Sequence, residues 1–253
     1  MKKILALLVL PLVLSACFSA KGLPIKSVGN KDKSTTATSL DHSTFDTLLK
    51  KYVAKNGDVN YKGFKNNIEK LNYYISYLED QKPSKNWSVE TQLAYFINVY
   101  NANTIKLILD NNPTKSIKDI NNPWLKKRFK IGNKSFSLAG LENGILRKMN
   151  EPRIHFAVNC ASASCPKLLD VAYTQKNVME LMERATKAFI NNPTKNKLDA
   201  NSAKISEIFK WYKNDFTENG SILDYINKYS NVTVNANTKI EYLEYDWSLN
   251  EQN

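Results

Sequence analysis

The stretch VETQLAYFINVYNANTIKLILD, residues 89–110, predicts the longest helix of the chain. Ser88 stands directly before it, where a hydroxyl side chain can cap the first turn, and Pro113 follows its end. The chain has 253 residues, of which 42% are hydrophobic, so it is long enough to bury a sizeable core. This composition excludes wholesale disorder and indicates a packed domain.

Two amide side chains interrupt this otherwise apolar helix. Asn98 and Asn101 are three residues apart and therefore share a face. An unpaired buried amide costs roughly 1–3 kcal/mol, so each needs a partner if that face is buried. One interpretation is that they bind loop backbone, and the other is that they line a pocket beneath a later cysteine-containing segment. Glu142, on another predicted helix, is either a solvated residue or part of the same site.

The rest of the pattern predicts an α+β fold, a helix-rich single domain with a small mixed sheet. Helices are predicted at residues 43–55, 63–80, after Ser137, from Thr174, and at about 203–215 and 221–229. Strands are predicted at 153–159 and near 239–245, with a hairpin joining 127–131 to 134–137. No internal repeat or second linker divides the chain, so we expect one domain over residues 41–253.

The N-terminus has the features of a signal peptide. MKKILALLVLPLVLSA, residues 1–16, combines two lysines with an apolar run too short to span a bilayer. LSAC, residues 14–17, resembles the lipobox of bacterial lipoproteins, which implies cleavage before Cys17 and lipid attachment to it. An ordinary secretory signal is the alternative. Residues 17–40 are rich in Lys, Ser, Thr and Gly, and beyond the lipidated cysteine we expect them to form a flexible tether.

These features predict a protein that is lipid-anchored in the cell envelope. Phe18 follows the anchor where Asp would favour the inner membrane of enteric bacteria, so the periplasmic face of the outer membrane is preferred. The formal charge of +12 would suit anionic partners, but no Arg-rich stripe or nucleic-acid-binding motif accompanies it. We expect contact with the membrane through the lipid, a small molecule or envelope polymer as ligand, and no nucleic acid.

The segment RIHFAVNCASASCP, residues 153–166, concentrates the reactive side chains of the chain. Side chains alternate along the predicted strand, so His155 and Cys160 start on opposite faces. They can meet only if the chain turns at about Asn159–Cys160, which the small residues that follow permit. Pro166 suits the first turn of a following helix, and Cys165 would then lie near a helix N-terminus that favours its thiolate.

Four interpretations of this segment remain open. In the first, one cysteine is a nucleophile, His155 is its base, and Glu142 or an Asn orients the imidazole. In the second, Cys160 and Cys165 form a structural or redox disulfide in an oxidising compartment. The third is a zinc site, although His-x4-Cys-x4-Cys is not a familiar zinc spacing. In the fourth, the cysteines are inert core residues and the histidine is only hydrogen-bonded. His42, at the end of the tether, is expected to be solvated.

A series of ordered blocks resembles the domain of unknown function 547 family over nearly the whole of the predicted domain. The blocks are DVNY at 58–61, AYFINVYNANTIKLIL at 94–109, SIKDI at 116–120, SLAGLE at 137–142, GILR at 144–147, PRIHFAVNCASASCPKL at 152–168, AYT at 172–174, FKWY at 209–212 and YDWSLN at 245–250. This chain has Asn143 where the family often has His, so a mechanism that needs a second histidine there is not implied. The family name carries no activity.

The resemblance places nine residues of interest on motif positions. We interpret four as candidate catalytic residues, namely Cys160, Cys165, His155 and Glu142. Five are candidate binding residues, namely Asn98, Tyr100, Asn101, Arg147 and Arg153. The leading hypothesis is a thiol enzyme without a cofactor or metal, acting by acyl transfer or hydrolysis on an amide or ester of the envelope. The alternative is a non-enzymatic binding or scaffold protein whose two domain cysteines form a structural or redox disulfide.

Overall fold

The computed structural model describes residues 22–29 and 38–252. In that part of the chain nine α-helices and two small sheets form one domain, which confirms the predicted α+β class. The helices are α1 (Ser43–Tyr52), α2 (Tyr61–Lys65), α3 (Ile68–Asp80), α4 (Val89–Asp110), α5 (Leu138–Gly144), α6 (Val178–Ile190), α7 (Ile208–Trp211), α8 (Lys213–Phe216) and α9 (Ile222–Asn227). The strands are β1 (Phe129–Ile131), β2 (Lys134–Phe136), β3 (Lys197–Asp199), β4 (Ser202–Ser206) and β5 (Ile240–Leu243). Short 3₁₀ helices cover Ile117–Asp119, Leu146–Met149 and Pro152–Phe156.

Helix α4 is the centre of the larger hydrophobic core. Nearly all of its 22 residues are buried, because α2, α3, α5 and α6 pack around it. The Oγ atom of Ser88 accepts a hydrogen bond from the Thr91 amide at 3.1 Å, which confirms the predicted N-cap. Since this helix has almost no solvent-facing side, its internal amide side chains must find partners within the protein.

The hairpin follows the sequence pattern, whereas the second sheet does so only at its last strand. Strands β1 and β2 form the predicted antiparallel hairpin, in which Phe129 is opposite Phe136. In the second sheet β4 lies in the middle, antiparallel to β3 and parallel to β5. This sheet is therefore mixed, as predicted.

The predicted helix at 203–215 is wrong in its first half, which forms strand β4. Ala203 and Ile205 are buried on this strand while Lys204 between them is exposed, a period of two that is typical of a half-buried strand. Lys204 also forms an ion pair at 3.1 Å with Glu241 on the neighbouring strand.

Two other predicted helices have different bounds. The predicted helix at 63–80 is divided into α2 and α3, and the Asn60 side chain caps α2 by accepting a hydrogen bond from Gly63 N at 2.7 Å. The helix predicted from Thr174 begins four residues later, because Thr174 and Asn177 first form a turn held by their side chains. Asn and Thr side chains compete with helical hydrogen bonds in this way at helix starts.

The segment that carries the histidine and cysteines joins two hydrophobic clusters. Ile154, Ala157 and Val158 pack in the larger cluster around α4. Phe156 belongs to the second cluster, which contains β4, α7 and α9. Because neighbouring side chains enter different clusters, this segment lies at the boundary between them. That boundary is where the candidate site forms.

Residues 22–29, which the sequence predicts as part of the tether, lie against the domain instead. The Gln92 side chain accepts from Lys26 N and donates to Pro24 O, both at 3.0 Å. Val28 N donates to Met149 O at 2.7 Å. These hydrogen bonds hold residues 22–29 against α4 and the 3₁₀ helix at Leu146–Met149. The predicted signal peptide and lipidation site lie outside the described residues, and within the described ranges no helix is sufficiently long and apolar to cross a bilayer.

His42 is buried, so its predicted solvation is wrong. Its Nδ1 atom and the Tyr74 hydroxyl are hydrogen-bonded at 2.7 Å, and the two rings meet edge to face. Burial lowers the pKa of His42 from 6.5 to about 4, and the charge of Asp41 opposes that shift only partly. The imidazole is therefore neutral in the folded protein at neutral pH.

The free energy of unfolding should consequently decrease as the pH is lowered, because His42 must then take up a proton. An imidazole whose pKa is lower in the folded state stabilises the fold above pH 6.5, and this contribution is lost as the pH falls to about 4. We expect wild-type protein to lose about 3 kcal/mol more than His42→Gln between pH 7 and pH 4 in urea titrations. The glutamine amide of this variant retains a partner for Tyr74 but does not titrate. Parallel pH profiles for the two proteins would contradict this account.

Candidate active site

The predicted strand at 153–159 is wrong, because Pro152–Phe156 forms a 3₁₀ helix. Pro152 fixes the backbone at its first position, and the Glu151 carboxylate accepts a hydrogen bond from Arg153 N at 3.1 Å. With a strand excluded, side chains no longer alternate between two faces. The geometric objection to a meeting of His155 and Cys160 therefore disappears.

The expected turn after Asn159 is present. Ala161 has φ of 59°, in the left-handed region that residues other than Gly rarely adopt. Asn159 holds the turn, since its Oδ1 accepts from Ala161 N at 2.9 Å and its Nδ2 donates to Pro166 O at 2.8 Å. The side chain of one residue thus closes the loop that contains both cysteines. Such backbone strain often accompanies functional loops.

The two cysteines are free thiols in direct contact. The Sγ atoms of Cys160 and Cys165 are 2.9 Å apart, and the Cys160 amide also donates to Cys165 Sγ at 2.9 Å. Cys160 Sγ lies 3.1 Å from Ser162 Oγ and 3.3 Å from the Tyr245 hydroxyl. Cys160 is partly exposed while Cys165 is buried.

These contacts give the thiols opposite acidities. A hydrogen bond from the Cys165 thiol, which outweighs the effect of burial, lowers the pKa of Cys160 from 9.0 to about 7, and Ser162 and Tyr245 contribute. Burial raises the pKa of Cys165. The predicted helix after Pro166 is absent, so a helix dipole has no part in this difference. Cys160 is therefore the thiolate of the pair and Cys165 its proton-bearing neighbour.

His155 is oriented by an aspartate that the sequence analysis missed. Its Nε2 atom is 2.7 Å from Asp215 Oδ2, and Arg147 binds the same carboxylate through two hydrogen bonds of 2.6 and 2.7 Å. Burial favours the protonated carboxyl, but the bonds from Arg147 and His155 outweigh it and hold the pKa of Asp215 well below its usual range. Because a carboxylate only accepts, Nε2 must be the donor. The buried Nδ1 atom has no hydrogen-bond partner.

Glu142 does not contact the imidazole and so does not orient it as predicted. Its carboxylate accepts hydrogen bonds from the hydroxyls of Tyr100, at 3.1 Å, and Tyr212. The Tyr212 ring stacks on His155, with 3.9 Å between ring centroids. Glu142 therefore positions the ring that covers the histidine.

Asn98 and Asn101 bind backbone, which is the first of the two interpretations given for them. Asn98 donates to Tyr173 O at 2.7 Å and accepts from Tyr173 N at 3.2 Å. Asn101 donates to Ala157 O at 3.0 Å and accepts from Asn159 N at 2.9 Å. Both amides thus fix segments of chain against α4, and Asn101 fixes the segment that carries His155 and Cys160.

The two arginines have different surroundings. Arg147 joins Asp215 to Asn143, whose Oδ1 accepts from Nη1 at 2.8 Å. Arg153 instead forms ion pairs with Glu151 at 2.6 Å and Glu183 at 3.1 Å. Arg147 is therefore part of the site, whereas Arg153 is held in a separate ionic cluster.

A cavity of about 250 Å³ brings the reactive residues together. His155, Cys160 and Cys165 contribute to its wall. The other walls are mainly aromatic and apolar and contain Trp124, Val158, Ile208, Trp211, Tyr212, Tyr245 and Trp247. Among the described residues, no group of three or more His, Cys, Asp or Glu side chains could hold a metal ion. This applies to His155 with the two cysteines as well.

The residues that the sequence analysis missed lie far along the chain. Asp215 is 60 residues from His155, and Tyr245 is 85 residues from Cys160. Tyr212 and Tyr245 fall within blocks that carry the family resemblance, which was the available signal. Asp215 lies in no quoted block, and no periodicity links it to the histidine.

Comparison with known proteins finds similarity to one family over part of the chain, and no activity. The model of the family described as "Protein of unknown function, DUF547" matches residues 84–190, which supports the resemblance found in the sequence. The match extends from the loop before α4 to the end of α6 and includes Cys160, Cys165 and His155, but not Asp215 or Tyr245. The searches of curated proteins and of solved structures produced no match.

Asn159→Ala should alter both the stability of the protein and the acidity of Cys160. It leaves two backbone groups without partners, for an expected loss of roughly 2–4 kcal/mol in urea denaturation. Once the loop relaxes, the two Sγ atoms separate and the Cys160 pKa rises. This rise is measured by the pH dependence of iodoacetamide alkylation.

Asn98→Ala is the matched control for this substitution. It also removes two hydrogen bonds from a buried amide, but those bonds hold Tyr173 and not the cysteine loop. We expect a similar loss of stability with an unchanged thiol pKa. Equal pKa changes in both variants would contradict a specific role for Asn159.

Proposed function

We propose that this protein is a thiol-dependent enzyme that acts by acyl transfer or hydrolysis, with Cys160 as nucleophile. One observation carries this proposal. An acidic, partly exposed thiol and an aspartate-oriented histidine with an unpartnered nitrogen line the same cavity. Nucleophile, base and orienting carboxylate are the three parts that thiol-dependent acyl transfer requires.

The reaction assigned to these groups proceeds in two steps. Cys160 Sγ attacks the carbonyl carbon of an ester or amide, so that an S–C bond forms and the bond to the leaving oxygen or nitrogen breaks. The Nδ1 atom of His155 accepts the proton that the Cys160 thiol loses and passes it to the leaving group. Water, or another acceptor, then cleaves the thioester and returns Cys160. A pKa of about 7 leaves a substantial fraction of Cys160 as thiolate at neutral pH, so formation of the nucleophile requires little free energy.

Tyr212 controls access to the histidine in this proposal. The His155 side chain has 0% exposed surface, and the Tyr212 ring covers it. Displacement of that ring would open Nδ1 to the cavity. Glu142, which binds the Tyr212 hydroxyl, then acts by holding the cover in place.

A second candidate function is a dithiol redox pair. The supporting observation is the 2.9 Å contact between two free sulfurs of opposite acidity, one partly exposed and one buried. In that function Cys160 attacks a disulfide of an oxidised substrate, and Cys165 then releases the reduced substrate by forming a disulfide with Cys160. The two functions differ in the role of Cys165, which is a resolving thiol in one and a hydrogen-bond donor in the other.

Acylation by 4-nitrophenyl acetate, followed by mass spectrometry of the intact chain and by release of 4-nitrophenolate, tests the enzyme proposal. We expect one acetyl group on Cys160 and at least a 100-fold loss of rate in Cys160→Ser. Cys165→Ser keeps a donor and should retain most of the rate. Cys165→Ala should be slower near pH 7 and recover at pH 9, because it lacks the group that lowers the Cys160 pKa. Equal rates in wild type and Cys160→Ser would exclude the proposal.

We further propose that the mature protein is a lipoprotein of the envelope, anchored through Cys17. The support is the sequence of residues 1–17, with its basic start, apolar run and lipobox. Labelling of bacteria that express the full chain with an alkyne analogue of palmitate should mark the wild-type protein and fractionate it with membranes. Cys17→Ala should remove both the label and the membrane association. A labelled Cys17→Ala variant would contradict the anchor.

A further inference from the structure

We propose that the cavity beside Cys160 binds a short, uncharged acyl chain, with the chain among Trp124, Trp211 and Trp247 and its carbonyl at the thiol. The catalytic part of this inference rests on the proposed function, because it assigns the group that Cys160 would accept. The ligand class itself rests on the shape and chemistry of the cavity.

The cavity wall contains no charged side chain of Asp, Glu, Lys or Arg among the described residues. This is notable in a chain that has 36 basic and 24 acidic residues. Two cations lie against rings of the wall instead, with Lys118 Nζ 5.4 Å from the Trp247 ring and the Arg147 guanidinium 5.4 Å from that of Tyr212. A charged ligand would lose its hydration in this cavity without gaining a partner of opposite charge. A neutral apolar group loses little and gains contact area.

The aromatic wall is a single packed cluster. The Trp247 ring centroid lies 4.5 Å from that of Tyr245 and 5.7 Å from those of Trp124 and Trp211. Each ring thus limits the movement of its neighbours, so the apolar surface exists before a ligand binds. Trp211 is 44% exposed, which places the mouth of the cavity at its ring. Tyr245 connects the aromatic wall to the thiol, because its hydroxyl contacts Cys160 while its ring packs on Trp247.

The size of the cavity limits the length of the chain. A volume of about 250 Å³ holds roughly eight heavy atoms at ~30 Å³ each. This is below the range of about 300–1,000 Å³ that is typical of sites for drug-sized ligands. Acyl groups of about four to seven carbons, counted with the carbonyl oxygen, fit this volume, whereas a long fatty acyl chain would extend past Trp211 into solvent.

A series of 4-nitrophenyl esters tests the chain preference. The rate is taken as the part that is lost in Cys160→Ser, and kcat/KM is compared for acetate, butyrate, hexanoate and dodecanoate. We expect hexanoate to exceed acetate at least tenfold, because each buried methylene favours binding, and dodecanoate to gain nothing more. The 4-nitrophenyl monoester of succinate, which adds a carboxylate to the butyrate chain, should be at least tenfold slower than butyrate.

Two tryptophan variants test whether the preference for longer acyl chains arises in this cavity. Trp211→Ala should reduce the ratio of hexanoate to acetate to less than one third of the wild-type value. Trp87→Phe is the matched control, since Trp87 is buried against Tyr95 away from this cavity and its loss should leave the ratio unchanged. Equal ratios in wild type and Trp211→Ala would overturn the assignment of the chain to this cavity.

A measurement of ligand binding in a variant that cannot be acylated separates this inference from the proposed function. Three of the four tryptophans of the chain line the cavity, so intrinsic fluorescence reports its occupancy. In Cys160→Ser, hexanamide should quench this fluorescence saturably and succinamate should not. Acylation of Cys160 with no chain or charge preference would overturn the inference and leave the function standing. Selective hexanamide binding without any acylation of Cys160 would overturn the function but support the ligand class.

Discussion

The hydrogen bonds of one buried amide, Asn101, determine where the reactive residues lie. Its side chain binds Ala157 O and Asn159 N, and these two groups follow His155 and precede Cys160. Because Asn101 belongs to a helix that is buried on nearly every side, this attachment fixes the segment to the centre of the larger core. A buried amide that must be paired thus serves to place a loop.

Electrostatics then makes that loop chemically distinct. Cys160 has three neighbouring groups that can donate a hydrogen bond to its sulfur, while Cys165 is buried and keeps its proton. Arg147 keeps Asp215 ionised, and Asp215 in turn determines which nitrogen of His155 carries the proton. Both sets of contacts act on residues that line one cavity.

The main helix and the hairpin can be predicted from the sequence more accurately than the residues of the candidate site. The bounds of α4 and the hairpin follow from local periodicity and capping residues, which depend on neighbours in the sequence, whereas in the mixed sheet only the last strand was predicted. The 3₁₀ helix at Pro152–Phe156 differs from the predicted strand because a short apolar run fits both, and the Glu151 side chain that caps the helix decides between them. Asp215 and the burial of His42 depend on contacts between distant parts of the chain, which no local pattern records.

The most direct test of the central claim is a comparison of the two thiols within one molecule. Reduced protein is alkylated with limiting iodoacetamide between pH 5.5 and 9, and the modified Cys160 and Cys165 peptides are quantified by mass spectrometry. The account predicts that Cys160 reacts with a midpoint near pH 7 and at least 100-fold faster than Cys165 at pH 6.5. Equal rates at the two cysteines, or faster alkylation of Cys165, would contradict it.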